Sequence, residues 1–269
     1  MRMKVTFLIR SAALVLSLAA GAWLQAQSAP EWKTIEENWK SWNEMPEASL
    51  KRAADGGDAT ASYFFYLRTL PEEGENAARR SLGQEYLERA AEGGMPHALY
   101  QLSGQFRTKD EEKYYSLLSR AAATGLPTAQ LTLALEHLEG ARVPLDEAAA
   151  VDLVRRAADA GYAKAQTELG QMYASGVGEP RHSDETPRAL FVKAAARGNR
   201  DAMEELGRRY LYGYGVEQDM MEAARWYWRA NSSGSVSGMQ VLDSALEPLA
   251  TPDGGRRRFS EVYSLYAKA

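Results

Sequence analysis

Apolar and small residues recur along this chain on two scales. On the short scale, large apolar pairs stand four residues before pairs of alanine. Tyr86-Leu87, Leu117-Leu118, Leu153-Val154 and Leu190-Phe191 do so, and Trp226-Tyr227 stands four residues before the single Ala230. Spacing of i, i+1, i+4, i+5 lays one apolar stripe along a helix. On the long scale the pattern Ala-Ala-x-x-Gly-x-x-x-Ala returns. It appears at Ala121-Ala122…Gly125…Ala129, Ala157-Ala158…Gly161…Ala165 and Ala194-Ala195…Gly198…Ala202, with weaker copies at Ala53-Ala54…Gly57…Ala61 and Ala90-Ala91…Gly94…Ala98. A decayed copy follows at Ala230…Gly234…Gly238. The glycines are separated by 37, 31, 36, 37 and 36 residues.

One unit can be read from its parts. The apolar stripe forms a first helix, and the glycine suits the positive φ of a helix C-cap. The following alanine begins a second helix, with an apolar residue four positions on: Phe65, Leu102, Leu133, Leu169, Leu206 and Leu242. Small alanines let the two helices approach closely. Thr108 and Asp219 each open a capping-box pattern, and Thr186-Pro187 reads as a cap followed by proline at the first helical position. A single pair cannot bury its stripe, whereas stacked pairs can. The fold expected is therefore all-α, a right-handed α/α superhelical solenoid of about six helix-turn-helix repeats with helical caps. Trp32, Ile35, Trp39 and Trp42 suit the cap at one end, and Phe259, Val262, Tyr263 and Tyr266 the cap at the other.

Composition narrows the function. Residues 1–26 read as a secretory signal peptide: basic Arg2, Lys4 and Arg10, an apolar stretch from Ser11 to Leu24, then small residues from Ala26. The apolar run is short for a membrane span. The segments expected are this signal peptide, an N-terminal capping segment over 27–46, the solenoid over 47–246 and a C-terminal capping helix over 247–269. Without residues 1–26 the chain holds 29 Lys+Arg against 36 Asp+Glu, a net charge of −7. That disfavours nucleic acid and anionic membrane surfaces as partners. There is no Cys, so no disulfide, thiolate zinc site or thiol nucleophile is possible.

The stretch Leu206–Ala230, LGRRYLYGYGVEQDMMEAARWYWRA, closely resembles the Sel-one-like repeat, a relative of the tetratricopeptide repeat. The family pattern LGxxYxxGxGV is met by Leu206, Gly207, Tyr210, Gly213, Gly215 and Val216, and its later Asp, Ala and Trp by Asp219, Ala223 and Trp226. A second match runs through Leu169, Gly170, Tyr173, Gly176 and Gly178. The 31-residue unit after Gly94 has a shortened loop and lacks the GxG pattern. The resemblance implies an adaptor built as an α/α superhelix. Many bacterial members are exported, and some tune envelope signalling or polysaccharide export. The family shares no catalytic residues.

Candidate chemistry is sparse. His97, His137 and His182 do not cluster; His137 suits the core and His97 a solvated position. No metal motif, nucleophile elbow or phosphate loop appears, so no catalytic residue, metal or cofactor is expected. Gly213-Tyr214-Gly215 is a repeat turn with no strand before it. Tyr210 and Trp226 occupy family core positions. Tyr212, Tyr214 and Trp228 fall where the repeat is variable, and together they form the candidate partner-binding surface. Arg256-Arg257-Arg258 reads as a solvated linker or helix start. The function expected is a scaffold for protein–protein interaction, exported to a bacterial periplasm, with no membrane-spanning segment once the signal is removed. A module binding envelope glycan or peptidoglycan is the second reading, and a cell-wall hydrolase the third.

Overall fold

A computed structural model describes residues 32–70, 77–140, 145–177 and 185–232. The signal peptide, His182, the arginine triplet and the C-terminal cap expected above lie outside these residues. Every element among them is an α-helix, and the chain divides into two compact units at Leu145 and Asp146. The first unit contains α1 (Trp32–Glu37), α2 (Trp39–Glu44), α3 (Glu47–Asp55), α4 (Ala59–Thr69), α5 (Ala77–Glu92), α6 (Pro96–Phe106), α7 (Glu111–Ala123) and α8 (Pro127–Glu139). The second contains α9 (Glu147–Asp159), α10 (Ala163–Ser175), α11 (Glu185–Ala195), α12 (Arg200–Tyr212) and α13 (Met220–Ser232). From α3 to α8, and again from α9 to α13, each helix packs on the next. This is the α/α solenoid fold class.

The Ala-Ala-x-x-Gly pattern is the turn within each pair. Gly57, Gly94, Gly125, Gly161 and Gly198 all take φ between 80° and 93°. An L-side chain resists that region, and glycine does not. The alanines ahead of the glycine supply the acceptors. Gly57 N–H donates to the Ala54 carbonyl at 3.0 Å and Asp58 N–H to that of Ala53 at 3.1 Å. The same two bonds recur around Gly94, Gly161 and Gly198, each onto its own alanine pair. This crossed pair is a Schellman motif, which satisfies carbonyls that the helix end leaves open. Second helices start two residues earlier than the spacing suggested, so the alanine after the turn is the third helical residue. Where Asp58 and Asn199 precede the helix, their side chains accept from the N–H of that alanine, Ala61 and Ala202, at 2.9 and 2.8 Å.

Packing follows the predicted stripes. Ala61, Ala98, Ala129, Ala165 and Ala202 are fully buried, as are Leu87, Leu118, Val154 and Phe191 from the large pairs. Gly170 and Gly207 form sockets on second helices. A methyl group at Gly170 would sit 2.7 Å from the Phe191 ring, and one at Gly207 2.8 Å from the Tyr227 ring. Only a bare backbone admits these rings. The Tyr227 hydroxyl is buried without a hydrogen-bond partner among the described residues.

Three local expectations need correction. The cap of α7 is Asp110, which accepts from Lys113 N–H at 3.0 Å, and not Thr108. Helix α11 begins at Glu185, so Pro187 lies inside its first turn. His97 is not solvated: its ring lies 5.8 Å from Tyr63 and 6.2 Å from Trp39, and burial lowers its pKa. Of the N-terminal tryptophans, Trp39 and Trp42 pack on the first repeat from α2. The Trp39 and Trp42 rings lie 4.6 and 5.8 Å from that of Phe64, and Arg68 donates to the Asn43 carbonyl at 2.7 Å.

Gly198→Ala forces a side chain into positive φ with no steric contact, and should cost about 1–2 kcal/mol. Gly207→Ala meets an aromatic ring and should cost about 1–3 kcal/mol. Gly104→Ala, at an open position within α6, should instead stabilise by about 1 kcal/mol. Urea unfolding of the three variants tests the order. Burial raises the pKa of Tyr227 from 10.0 to about 12. The unfolded chain then releases the phenolic proton first, so this contribution is intact below pH 10 and is lost as pH rises through about 12. Tyr227→Phe should diminish that alkaline loss in thermal melts while leaving stability at neutral pH unchanged or raised.

Candidate interaction surface

The turn between α12 and α13 carries two exposed aromatic side chains on a backbone held from several sides. Helix α12 ends at Tyr212 with Gly213 at φ 75°. The N–H groups of Gly213 and Tyr214 both donate to the Arg209 carbonyl, at 2.9 and 3.0 Å. Farther along, Gln218 Nε2 donates to the Leu211 carbonyl at 2.7 Å, and Asp219 N–H to that of Tyr210 at 2.9 Å. The Asp219 carboxylate then caps α13, accepting from Met221 and Glu222 N–H at 2.8 and 3.0 Å.

Arg209 joins this loop to the interior. Its residue is 3% exposed, and its guanidinium stands 5.0 Å over the Phe191 ring. Nη1 donates to the Tyr214 carbonyl at 3.2 Å, and the Glu205 carboxylate lies 3.8 Å from Nε. A buried guanidinium needs such partners to offset its lost hydration. The loop carbonyl is therefore part of what makes the buried cation tolerable. Sequence reasoning passed over Arg209. Its available signal was a cation on the apolar side of α12, flanked by Leu206 and Tyr210.

Tyr212 and Tyr214 are 51% and 55% exposed, and their rings lie 5.6 Å apart at 36°. Both tyrosines are thus open and adjacent. Trp228, 41% exposed, stands elsewhere on α13. Its neighbour Tyr227 is seated against Gly207, five residues from Tyr212 and so about 7.5 Å away along the helix axis. Among the described residues Trp228 makes no ring contact with either tyrosine. The structure brings two of the three predicted residues together and leaves the third apart. Tyr210 and Trp226 pack as core residues, against Leu211, Ala223, Ala224 and Tyr227 and against the Phe191 cluster respectively.

Among the described residues there is no cluster of three or more His, Asp or Glu side chains able to hold a metal ion. No helix among them is long and apolar enough to cross a membrane.

The family profile described as Sel1 repeat matches residues 74–95, 127–162, 163–199 and 200–235. The last three segments begin at second helices, α8, α10 and α12, one helix later than the pairs above. A solved structure of a protective antigen present in uropathogenic Escherichia coli strains, displaying an SLR fold, superposes with a TM-score of 0.65 at 28% identity. That superposition covers 76% of this chain and 44% of the antigen. An uncharacterized protein of Neisseria meningitidis serogroup B is 29% identical over 203 residues, 60% of this chain and 42% of its own length. The DAP3-binding cell death enhancer 1 of Rattus norvegicus is 30% identical over 93 residues, 35% of this chain and 18% of that protein. The chain thus spans less than half the length of each of these relatives.

Replacing Arg209 with Met removes the bond to the Tyr214 carbonyl while keeping much of the side-chain volume. Loss of a charged hydrogen bond corresponds to about 1.5–3 kcal/mol. Hydrogen exchange at the Tyr214 and Gly215 amides should accelerate more than at Ala165 or Leu169, which share no contact with the loop.

Proposed function

Because this chain is a Sel1-repeat protein, we propose that it is a non-enzymatic scaffold, exported into a bacterial envelope, that binds a partner protein through Tyr212 and Tyr214. The observation that carries this reading is the adjacency and exposure of these two rings on a hydrogen-bonded loop. Tyrosine offers a large contact area with few rotatable bonds, and a loop already fixed loses little entropy on binding. Trp228 serves as a peripheral contact in this proposal, since it stands apart from the pair. Export rests on the basic, apolar and small-residue order of residues 1–26. The bacterial sources of the antigen and of the Neisseria protein support the bacterial setting alone.

Two measurements test the proposal separately. The full chain with a C-terminal tag should be recovered from the periplasmic fraction with Gln27 as its new N-terminus. An unprocessed product retained in the cytoplasm would refute export. Crosslinking in that compartment should recover one consistent protein, and Tyr212→Ala with Tyr214→Ala should reduce its yield by about tenfold or more, the effect of 1.4 kcal/mol. Trp228→Ala alone should reduce it less. Equal recovery by the double variant, with its circular dichroism unchanged, would rule out the tyrosine pair.

A further inference from the structure

The two exposed tyrosines lack a cation that other rings of this chain have. Arg89 stands 5.0 Å from the centre of the Tyr86 ring, Arg209 5.0 Å from that of Phe191 and Arg229 4.7 Å from that of Trp226. Lys113 stands 4.0 Å over the Phe106 ring. A guanidinium suits such a place because it is planar and weakly hydrated, and gives up little water to lie on a ring. Among the described residues no cation lies over Tyr212 or Tyr214, and neither hydroxyl makes a hydrogen bond. With their centres 5.6 Å apart, the two rings leave no room between them for a planar group, which needs about 3.5 Å on either side. A cation can lie only against an outer face.

Charge around these rings is one-sided. From Tyr210 to Ala224 the chain carries Glu217, Asp219 and Glu222 and no base. Bases on either side are tied to carboxylates of their own helix. Arg208 and Arg209 lie 3.4 and 3.8 Å from the Glu205 carboxylate, and Arg225 pairs with Glu222. Asp219 accepts from two backbone N–H groups. Glu217 is exposed and makes no hydrogen bond or ion pair among the described residues. The loop folds it back toward the tyrosines. A methyl group at Gly213 would lie 3.6 Å from the Val216 carbonyl oxygen and 3.9 Å from the Gln218 nitrogen. Residues 216–218 thus lie against the residue that separates Tyr212 from Tyr214.

We infer that Tyr212, Tyr214 and Glu217 form a docking site for an arginine side chain on a basic segment of the partner protein. The guanidinium lies on an outer tyrosine face and turns its fork of N–H groups to the Glu217 carboxylate. This rests on the reading of Tyr212 and Tyr214 as the contact surface, and adds the chemistry of what they contact. Arginine meets both demands at once, since its flat face stacks and its edge pairs with a carboxylate in two places. An acidic segment would be repelled by Glu217, Asp219 and Glu222. A wholly apolar one would cover the Glu217 carboxylate without pairing it, which is costly. The net charge of −4 on the whole chain also favours approach of a cationic partner.

The full chain is to be titrated with the peptide acetyl-Gly-Arg-Gly-Arg-Gly-amide while its backbone amide resonances are followed. Parallel titrations use peptides with citrulline or glutamate in place of arginine; citrulline keeps the shape of arginine without its charge. The arginine peptide should move the amides of Tyr212, Tyr214 and Glu217 with a Kd in the millimolar range, and the other two peptides should move none of them. Glu217→Lys, a change at an exposed side chain, should weaken the arginine peptide by about tenfold or more, as should Tyr212→Ala with Tyr214→Ala. Tyr212→Phe with Tyr214→Phe keeps both ring faces and should hold affinity within about threefold. Equal shifts from the citrulline peptide, shifts from the glutamate peptide, no loop shift with any peptide, or unchanged affinity in Glu217→Lys would each overturn the inference. Crosslinking of the partner separates it from the reading beneath it. Recovery lost by the double alanine variant but kept in full by Glu217→Lys would leave the tyrosine surface standing and remove the arginine, whereas recovery lost by both supports the two together.

Discussion

A crossed pair of backbone hydrogen bonds onto two consecutive alanines closes four of the helical hairpins among the described residues, at Gly57, Gly94, Gly161 and Gly198. It needs a residue at positive φ, and glycine provides it at each of these four turns. It also needs two carbonyls at the end of a buried helix face, and alanine exposes them without bulk. The pattern Ala-Ala-x-x-Gly therefore serves two purposes. It ends the first helix with its last carbonyls satisfied, and it brings the second helix back at close range. Side chains reinforce it: Gln130 and Gln166 donate to the carbonyls of Ala122 and Ala158, at 3.4 and 3.1 Å, from the second helix of each pair.

On this uniform frame, individuality is concentrated at a few slots. Eleven residues after the turn glycine stand Glu136 in the first unit and Arg209 in the second, each 3% exposed. Burying either charge is costly, and each is offset by its own partners. Glu136 accepts two tyrosine hydroxyls and has Arg107 at 3.3 Å. Arg209 takes the Tyr214 carbonyl and the Phe191 ring. One slot thus knits a core, and its counterpart fixes a loop that presents two tyrosines to solvent.

Much of the fold was legible because it is written in residue size. Among the described residues, the alanine pairs, the turn glycines and the apolar position four residues past the next alanine took the places their spacing implied. Exact helix starts were not, since N-terminal turns depend on which side chain reaches the first free N–H groups; Asp110 does so where Thr108 seemed suited. His97 misled because its partners, Trp39 and Tyr63, are distant in sequence. Of the candidate site, the variable positions of Tyr212, Tyr214 and Trp228 did not settle their exposure, which depends on the elements that pack beside them, nor did they show Trp228's separation from the pair. One recurrence escaped notice entirely. Arg52, Arg89, Arg120, Arg156, Lys193 and Arg229 each precede an alanine or alanine pair, placing a cation near the negative end of every first helix. Arg120 shows a further use, donating to the Ala91 carbonyl of the preceding repeat at 3.1 Å.

The glycine sockets bear on how such a chain avoids folding against itself in the wrong order. Near-identical turns allow any first helix to be mistaken for another during collapse, a hazard of repetitive sequences. The recesses are not interchangeable. Gly83 lies against Thr69, Gly170 receives Phe191, and Gly207 receives Tyr227. A helix displaced by one repeat would bring an aromatic ring to a recess shaped around a threonine, or leave a recess empty. The contacts that seat each pair thus also act as a key for neighbour identity, letting a nearly periodic chain assemble in a single order.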